Sequence, residues 1–518
     1  MSLSDFLPQR RPVWVLMTAS AVCSLIVLDT NIVAVSLPAI ARSLNAGFAD
    51  LEWVVSAYML AFAACLLPAG SIADRWGRRR TMLVGLVGFI LASLACGAAE
   101  TTTAMNIARA IKGVGSALLL TSALAVIGHT FHEERERMRA WSFWGGCMGL
   151  AMTIAPVFGG IVTAWLGWRW IFYLNLPIGL LLLTLVWRCI DESRDPQAAR
   201  LDPLGSLCFS AGLFGVIWAL IGGSEAGWTS TATLGRAGAG VLLLMLFIVV
   251  ELRQQRPMVD LALFRSPRFI GAVLAMFGYA TSAQVMMTFL PLYMQNAFGY
   301  TSVGAGLAML PFAISMVIWP RIGPWLGRHL PMHGVLVLGL VLVGIGNALT
   351  ALAAPTLYYG WVALGMLVTG AGAGLLNGDT QKNIMACVPR TRTGMASGIS
   401  TTTRFTGIVL AVGGLGGVLA TRTRAMLDSG TAPADADFVQ RVLSGDALQA
   451  ALALPPALRD SALALARDSF AHGFASLLGA AAIVALLSAL AVHLLMREQP
   501  LSRQSARGPR PAADWVGP

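Results

Sequence analysis

Charge is scarce in this sequence of 518 residues: Asp, Glu, Lys and Arg make up 12% of it, against a usual quarter. With hydrophobic residues at 56%, so few charges cannot clothe a water-soluble surface, and most of the chain must be solvated by lipid. Lysine is almost missing, occurring only at Lys112 and Lys382; every other basic residue is arginine. The seven cysteines (Cys23, Cys65, Cys96, Cys147, Cys189, Cys208 and Cys387) form no CxxC and have no histidines clustered near them. That pattern excludes a disulfide framework and a metal centre, and the cysteines read as small core residues. No GK[ST] follows the Gly-rich GLGGVLA from Gly414, and no strand pattern precedes it, so a phosphate cradle and ATP-driven chemistry are not expected. The six histidines (His129, His132, His329, His333, His472 and His493) lie at the ends of apolar runs without catalytic spacing. An enzyme is therefore not expected, nor any cofactor.

What the chain does have is long apolar runs. They fall near 13–40, 52–73, 80–99, 104–128, 138–164 and 169–189, then 203–221 and 234–252, then 268–293, 302–326, 332–353, 357–387, 394–421 and 470–496. Runs of about twenty apolar residues have the length of a membrane-crossing helix. A transmembrane barrel would show shorter segments of alternating polarity and is excluded. The first run is too long for a cleavable signal core and reads as a retained span. The fold class is thus an all-α polytopic membrane protein of fourteen spans.

The formal charge of +11 is distributed as membrane topology requires rather than as a nucleic-acid surface, and no nucleic-acid partner is expected. Arginines crowd the loops on one side, as in Arg75, Arg78, Arg79, Arg80, Arg135, Arg137 and Arg139, and later Arg188, Arg194, Arg200, Arg253, Arg256, Arg390 and Arg392. Short loops on the other side hold Arg42, Arg169 and Arg236. The positive-inside rule then places both termini in the cytoplasm, with the chain in the cell (inner) membrane. Trp14, Trp53, Trp76, Trp168, Trp170, Trp187 and Trp228 stand at span ends, as interfacial anchors do.

Two stretches about 250 residues apart echo one another. GSIADRWGRRR (Gly70 to Arg80) follows span two and GPWLGRHLP (Gly323 to Pro331) follows span ten; GVGSA from Gly113 and GAGAG from Gly370 occupy spans four and twelve. The reading is two six-helix bundles, residues 1–200 and 254–500, with an inserted helix pair at 201–253. The second bundle carries an external loop at about 422–468, and residues 501–518 read as a disordered cytoplasmic tail.

GSIADRWGRRR resembles the loop signature of the major facilitator superfamily, and the span count resembles its fourteen-span drug:proton antiporter branch. LDTNIVAVSLPAI in span one, RAIKGVGSA in span four, WRWIFYLNLPIG at span six and LPLYMQNAFGYTSVGAGLAMLP across spans nine and ten match in order, over nearly the whole chain. In span five AMTIAPVFGG has alanines (Ala151, Ala155) at two positions of the family's helix-packing antiporter motif and retains Pro156, Gly159 and Gly160. In span four Lys112 stands where the family usually has glutamine.

Six charged residues fall inside the spans, where each costs about 2.5 to 3.5 kcal/mol on insertion scales and so should face a partner or a wet cavity. Asp29 in span one and Arg109 in span four both fall in the outer half of the membrane and can pair. The resemblance implies a proton-coupling pair, with Asp29 carrying the proton and Arg109 stabilising its charged form; a fixed ion pair that only orients helices is the alternative. Lys112, Asp379, Lys382 and Arg404, together with Asn31, are the expected substrate cavity, although Asp379 and Lys382 can equally be an ion pair at a helix end. With all six ionised the excess is positive, which suits an acidic substrate better than a cationic one. For the loop after span two, the resemblance implies a cytoplasmic latch of Gly70, Asp74, Arg75, Gly77 and Arg78. Gly70 would permit close backbone approach, Gly77 a tight turn, and Asp74 would face a helix N-terminus; simple positive-inside anchoring also accounts for the arginines.

The expected function is a proton-coupled antiporter exporting small lipophilic or drug-like molecules, with protons, a small-molecule substrate and the bilayer as its partners, and a monomeric state. Export of one endogenous, anionic metabolite is the alternative, and a non-transporting membrane sensor the second.

Overall fold

The computed structural model describes residues 11–131, 133–194, 202–254, 261–388, 393–429 and 436–497. The expected tail, and Arg200, Arg256, Arg390 and Arg392, lie outside them. The described residues form helices and connections, and fourteen helices are long and apolar enough to cross a membrane. The first bundle contains α1 (Arg11–Leu44), α2 (Phe48–Trp76), α3 (Arg78–Gly97), α4 (Thr102–Thr130) and α5 (Glu134–Trp165), then a sixth span made of the short α6 (Trp170–Tyr173) and α7 (Asn175–Cys189). The inserted pair is α8 (Pro203–Ala226) and α9 (Thr231–Arg253). The second bundle runs through α10 (Pro267–Tyr279) and α11 (Val285–Asn296), joined as one span by a π-helical stretch, Ala280–Gln284. It continues with α12 (Ser302–Ala308), α13 (Leu310–Leu326), α14 (Met332–Ala353), α15 (Tyr359–Ala386) and α16 (Thr393–Asp428), and closes with α19 (Arg459–Met496) after two short helices, α17 (Ala436–Leu443) and α18 (Ala447–Leu452).

Short polar connections start the helices where the sequence supplies a cap. Thr101 accepts the Ala104 amide at 3.2 Å, Ser230 that of Thr233 at 3.3 Å, and Thr301 that of Gly304 at 3.2 Å, each satisfying a donor the first helical turn leaves open. The halves are built alike. A Cβ on Gly113 of α4 would overlap the Tyr58 carbonyl on α2, and one on Gly115 would sit 3.1 Å from the Gly85 carbonyl on α3. In the second bundle, 257 residues on, a Cβ on Gly370 would stand 2.5 Å from the Phe312 carbonyl on α13, and one on Gly372 would overlap the Gly339 carbonyl on α14. In lipid no hydrophobic force pulls helices together, so such backbone-to-backbone approach carries the packing. The inserted pair stays outside this core: α8 packs on α9, α2 and α16, while α9 keeps Leu242 and Leu252 about 70% and 68% exposed, as lipid-facing side chains are.

The halves meet along two seams. In one, α5 lies against α12, with Gly160 under Ser302 and Gly306 under the Pro156 carbonyl, 2.5 Å from where a Cβ would stand. In the other, α2 lies against α16, where Phe62 and Phe405 approach to 4.3 Å between ring centroids. Polar cross-links gather at the opposite face, the end of the bundle away from Arg11 and Arg497. Gln295 donates to the Val35 carbonyl at 2.9 Å, the Phe48 amide donates to Gln440 at 3.4 Å, Ser444 donates to the Ala46 carbonyl at 3.2 Å, and Arg42 pairs with Asp446 at 3.3 Å.

Two sequence expectations are altered here. The stretch 422–468 is helical over most of its described residues, since α16 runs on to Asp428 and α19 begins at Arg459. Its α17 buries Phe438, Val439, Val442 and Leu443, one apolar stripe of a short helix. Trp168, expected as an interfacial anchor, is buried, and its ring is covered by the Arg169 guanidinium at 4.4 Å.

Candidate functional site

In the first bundle, α1, α4 and α7 bring four polar side chains into the apolar interior. Asp29 is fully buried, and its carboxylate accepts from Asn175 at 2.8 Å, from Arg109 at 3.4 Å and from Lys112. Arg109 also donates from Nε to the Val54 carbonyl on α2 at 2.9 Å and stacks on the Tyr58 ring at 4.4 Å. The Lys112 ammonium lies over the Phe89 and Phe172 rings at 4.6 and 5.0 Å. Tyr58 in turn donates to Ser116 at 2.9 Å, and Ser116 donates to the Lys112 carbonyl. One carboxylate thus faces two cations, whose remaining field is spread over aromatic faces and backbone. Protonating Asp29 removes the only negative charge in this cluster, so its two cations then repel one another and draw any anion or polar water that can reach them.

The structure brings Asp29 and Arg109 together, as their depth in spans one and four suggests. It corrects the place of Lys112, which does not line an open cavity in this conformation but is sealed against Asp29. Arg109 and Lys112 are three apart on α4 and share a face, so one acid reaches both. Asn175 was missed, because a neutral amide in a long apolar run gives no signal until its helix is placed beside α1.

The second bundle holds a different set. Arg404 on α16, half-buried, donates to Gln284 at 3.0 Å and lies over the Tyr279 ring at 5.7 Å. Gln284 donates to the Tyr279 hydroxyl at 3.2 Å, and that hydroxyl donates to Asn377 on α15 at 3.2 Å. In these hydrogen bonds Arg404, Gln284 and Tyr279 each meet a neutral acceptor. Asp379 and Lys382 are not part of it; they pair with each other at 2.9 Å, and Lys382 is 69% exposed. Asn31 is half-buried and donates to its own helix at Val27, 2.7 Å away. Of the residues expected at a substrate cavity, Arg404 and Asn31 keep partial exposure inside the bundle, whereas Lys382 stands at a helix end.

In the loop between α2 and α3, Gly77 has φ of 122°, a conformation that side chains resist, and the turn depends on it. Gly70 has open space around it, which corrects the expectation of close backbone approach there. Asp74 pairs with Arg78 at 3.0 Å, while Arg75 is exposed. The acid at the α3 N-terminus is Glu192, from the connection after α7: it accepts the Arg79 and Arg80 amides, each at 3.2 Å. A residue more than a hundred positions away performs the role expected of Asp74. Of the packing motif in span five, Gly159 lies against Ile32 of α1, and Pro156 and Gly160 form the α5–α12 seam.

Comparison with known proteins agrees with this architecture. The sequence profile of the Major Facilitator Superfamily matches residues 19–412. The multidrug resistance protein Stp of Mycobacterium tuberculosis is 34% identical over 424 residues, 80% of this chain and 78% of that protein. The tetracenomycin C resistance and export protein of Streptomyces glaucescens is 29% identical over 514 residues, 97% of this chain and 95% of that one. A crystal structure of a bacterial homolog of the human lysosomal transporter Spinster, inward-facing and unoccupied, shares the fold with a TM-score of 0.63 at 16% identity, covering 94% of this chain and 98% of that chain. Paired six-helix halves, seams of small residues and a buried charged cluster thus meet a profile that spans most of the sequence, and the chain belongs to the Major Facilitator Superfamily, whose members are transporters rather than enzymes.

Proposed function

We propose that this protein is a proton-coupled antiporter of the cell (inner) membrane that exports small lipophilic or drug-like molecules by alternating access, with both termini in the cytoplasm. The observation that carries the reading is the Asp29 carboxylate held between Arg109, Lys112 and Asn175 at membrane depth. An ionised Asp29 closes the cluster on itself. A proton taken from outside neutralises Asp29 and loosens its hold on Arg109 and Lys112; when the halves rock and water enters from the cytoplasmic side, the cations expel that proton and the carboxylate closes again. Export against a gradient then draws on the membrane potential, about 2.3 kcal/mol per charge per 100 mV. The names of the Stp and tetracenomycin C relatives support a drug-like cargo. In this scheme Asp74, Arg75 and Arg78 belong to a latch on the cytoplasmic side that holds the outward-open state. The cross-links at the opposite face match the other state, with the external side shut.

A second reading, export of an acidic metabolite, is favoured by Arg404, whose guanidinium is held by the neutral Gln284 amide beside the α2–α16 seam and remains able to pair with an anion. Proteoliposomes with an imposed pH gradient, tested with tetracenomycin C, tetraphenylphosphonium and a lipophilic carboxylate, decide between them. Gradient-driven movement of several compounds supports a drug antiporter. Movement of the carboxylate alone supports the metabolite reading, and compound movement without any proton flux would refute coupling.

A further inference from the structure

The sequence sets three arginines, Arg42, Arg169 and Arg236, on the side of the opposite face, and the fold uses them differently. Arg42, in the last turn of α1, pairs with Asp446 at 3.3 Å, and Arg169, between α5 and α6, donates to Ser43 at 3.2 Å and to the Ala99 carbonyl at 3.4 Å. Arg236, expected in a short loop, is inside α9, five residues past Thr231, or about 7 Å along the helix. The 23 residues of α9 make it about 35 Å long against a hydrocarbon core of about 30 Å. Arg236 therefore lies just within the hydrocarbon, on a helix that turns Leu234, Val241 and Met245 outward. A charge at that depth is costly unless it reaches the headgroup layer or meets a group of opposite sign.

Its guanidinium has a built seat on α8. It lies over the Trp218 ring, 4.2 Å from the centroid, and a Cβ on Gly222 would stand 2.9 Å from its Nη1, so the missing side chain leaves it room. On the adjoining Gly223 a Cβ would overlap the ring of Trp228, from the turn between α8 and α9. Two neighbouring glycines thus admit a cation and an indole. Trp218 packs on Phe214 at 5.6 Å between centroids, and Phe214 on Trp53 of α2, also at 5.6 Å. Arg236 is the charged end of a row of three rings that runs from α2 to the lipid-facing helix, and Trp218 and Trp228 keep partial exposure, as rings at headgroup level do.

We propose that Arg236, seated on Trp218 and Gly222, binds the phosphate of one phospholipid in the leaflet at the opposite face, with the acyl chains lying along the apolar side of α9. A ring beneath a guanidinium takes one of its faces, while its five N–H donors lie in its plane and point past the ring. That planar fork fits two oxygens of a phosphate through parallel bonds. Arg236 is half-buried, so part of it faces the bilayer, where the phosphate within reach is that of the phospholipid itself. The inference goes beyond the transport reading and holds whatever the cargo and its coupling.

Native mass spectrometry of the full chain in detergent, titrated with dioctanoyl phosphatidylglycerol, tests it by counting the lipid retained. The parent should hold one equivalent more tightly than any other. Dioctanoylglycerol, with the same tails and no phosphate, should bind at that site at least about tenfold more weakly, the scale of a lost charge-assisted hydrogen bond. Arg236→Gln should weaken the tight equivalent by at least about tenfold for the same reason, and Arg236→Lys, which keeps the charge without the fork, should fall between. Parent-like binding by Arg236→Gln, or equal binding of the two lipids by the parent, overturns the site. Displacement of the lipid by inorganic phosphate at equal concentration also overturns it, since the seat would then belong to a free anion. Should Arg236→Gln fail to fold, Arg236→Met, which puts an apolar side chain on a lipid-facing helix, decides on the same terms.

Discussion

The two bundles are built on the same glycine contacts but differ in what they bury. In the first, Arg109 and Lys112 on α4 meet Asp29 on α1. In the second, the positions 257 residues later are Met366 and Thr369, both fully buried. There Thr369 donates to Asn347 at 3.3 Å, and Asn347 donates to the Ser282 carbonyl at 2.8 Å, inside the π-helical stretch. Neutral groups therefore do in one half what ions do in the other, which is to tie the first span of the bundle to its neighbours. The comparison teaches that helix packing here does not need charge. A buried ion cluster that repeated architecture can dispense with is more readily explained by coupling than by stability.

Seven substitutions sharpen or break that contrast. Asp29→Asn keeps the shape and removes the charge, and should lower gradient-driven export by at least about tenfold, as expected when a proton-transfer group is lost. Vesicle flux at equal protein content measures it. Lys112→Ala is expected to cost stability as well: removing one partner of a buried pair costs about 3 to 5 kcal/mol, whereas Thr369→Ala in the other half should cost about 0.5 to 1.5 kcal/mol for one neutral hydrogen bond. Unfolding midpoints in detergent compare the two, and equal losses would dissolve the distinction between the halves. Next comes the seam. Gly160→Ala puts a methyl into the Ser302 backbone and should slow export severalfold, while Gly149→Ala, with open space around it, should leave export unchanged. The smallest effects belong at the surface. Glu192→Ala should destabilise the start of α3 by about 1 kcal/mol, the usual scale for a lost cap. Lys382→Ala should change stability by under about 1 kcal/mol, since its pair with Asp379 is largely exposed. Thermal melts rank the two.

Much of the fold was legible in the sequence because lipid imposes a length and an apolarity on each span, and fourteen runs met both. Breaks within spans were not, since the run across Ala280–Gln284 is continuous in sequence and its π turn, with Asn347 of α14 donating to the Ser282 carbonyl, shows only in the fold. The helices in 436–452 could have been found from the spacing of Phe438, Val439, Val442 and Leu443, a helical stripe hidden by the polar residues between them. The charged cluster was half legible. A charge in an apolar run announces itself, which singled out Asp29, Arg109 and Lys112, but only tertiary structure tells a sealed pair from a cavity wall, and this moved Lys112 from wall to pair. Glu192 acts on a helix more than a hundred residues away, and no local pattern records that.

The central claim is that Asp29 carries the proton exchanged for cargo, so that in a state open to water the proton leaves as cargo is taken up. It is tested most directly by counting protons released into weakly buffered solution as the most strongly transported compound of the panel binds to the purified protein, with no gradient present. The account predicts release of up to about one proton per molecule bound in the parent, and none from Asp29→Asn that still binds the compound. Equal release from both proteins would contradict it.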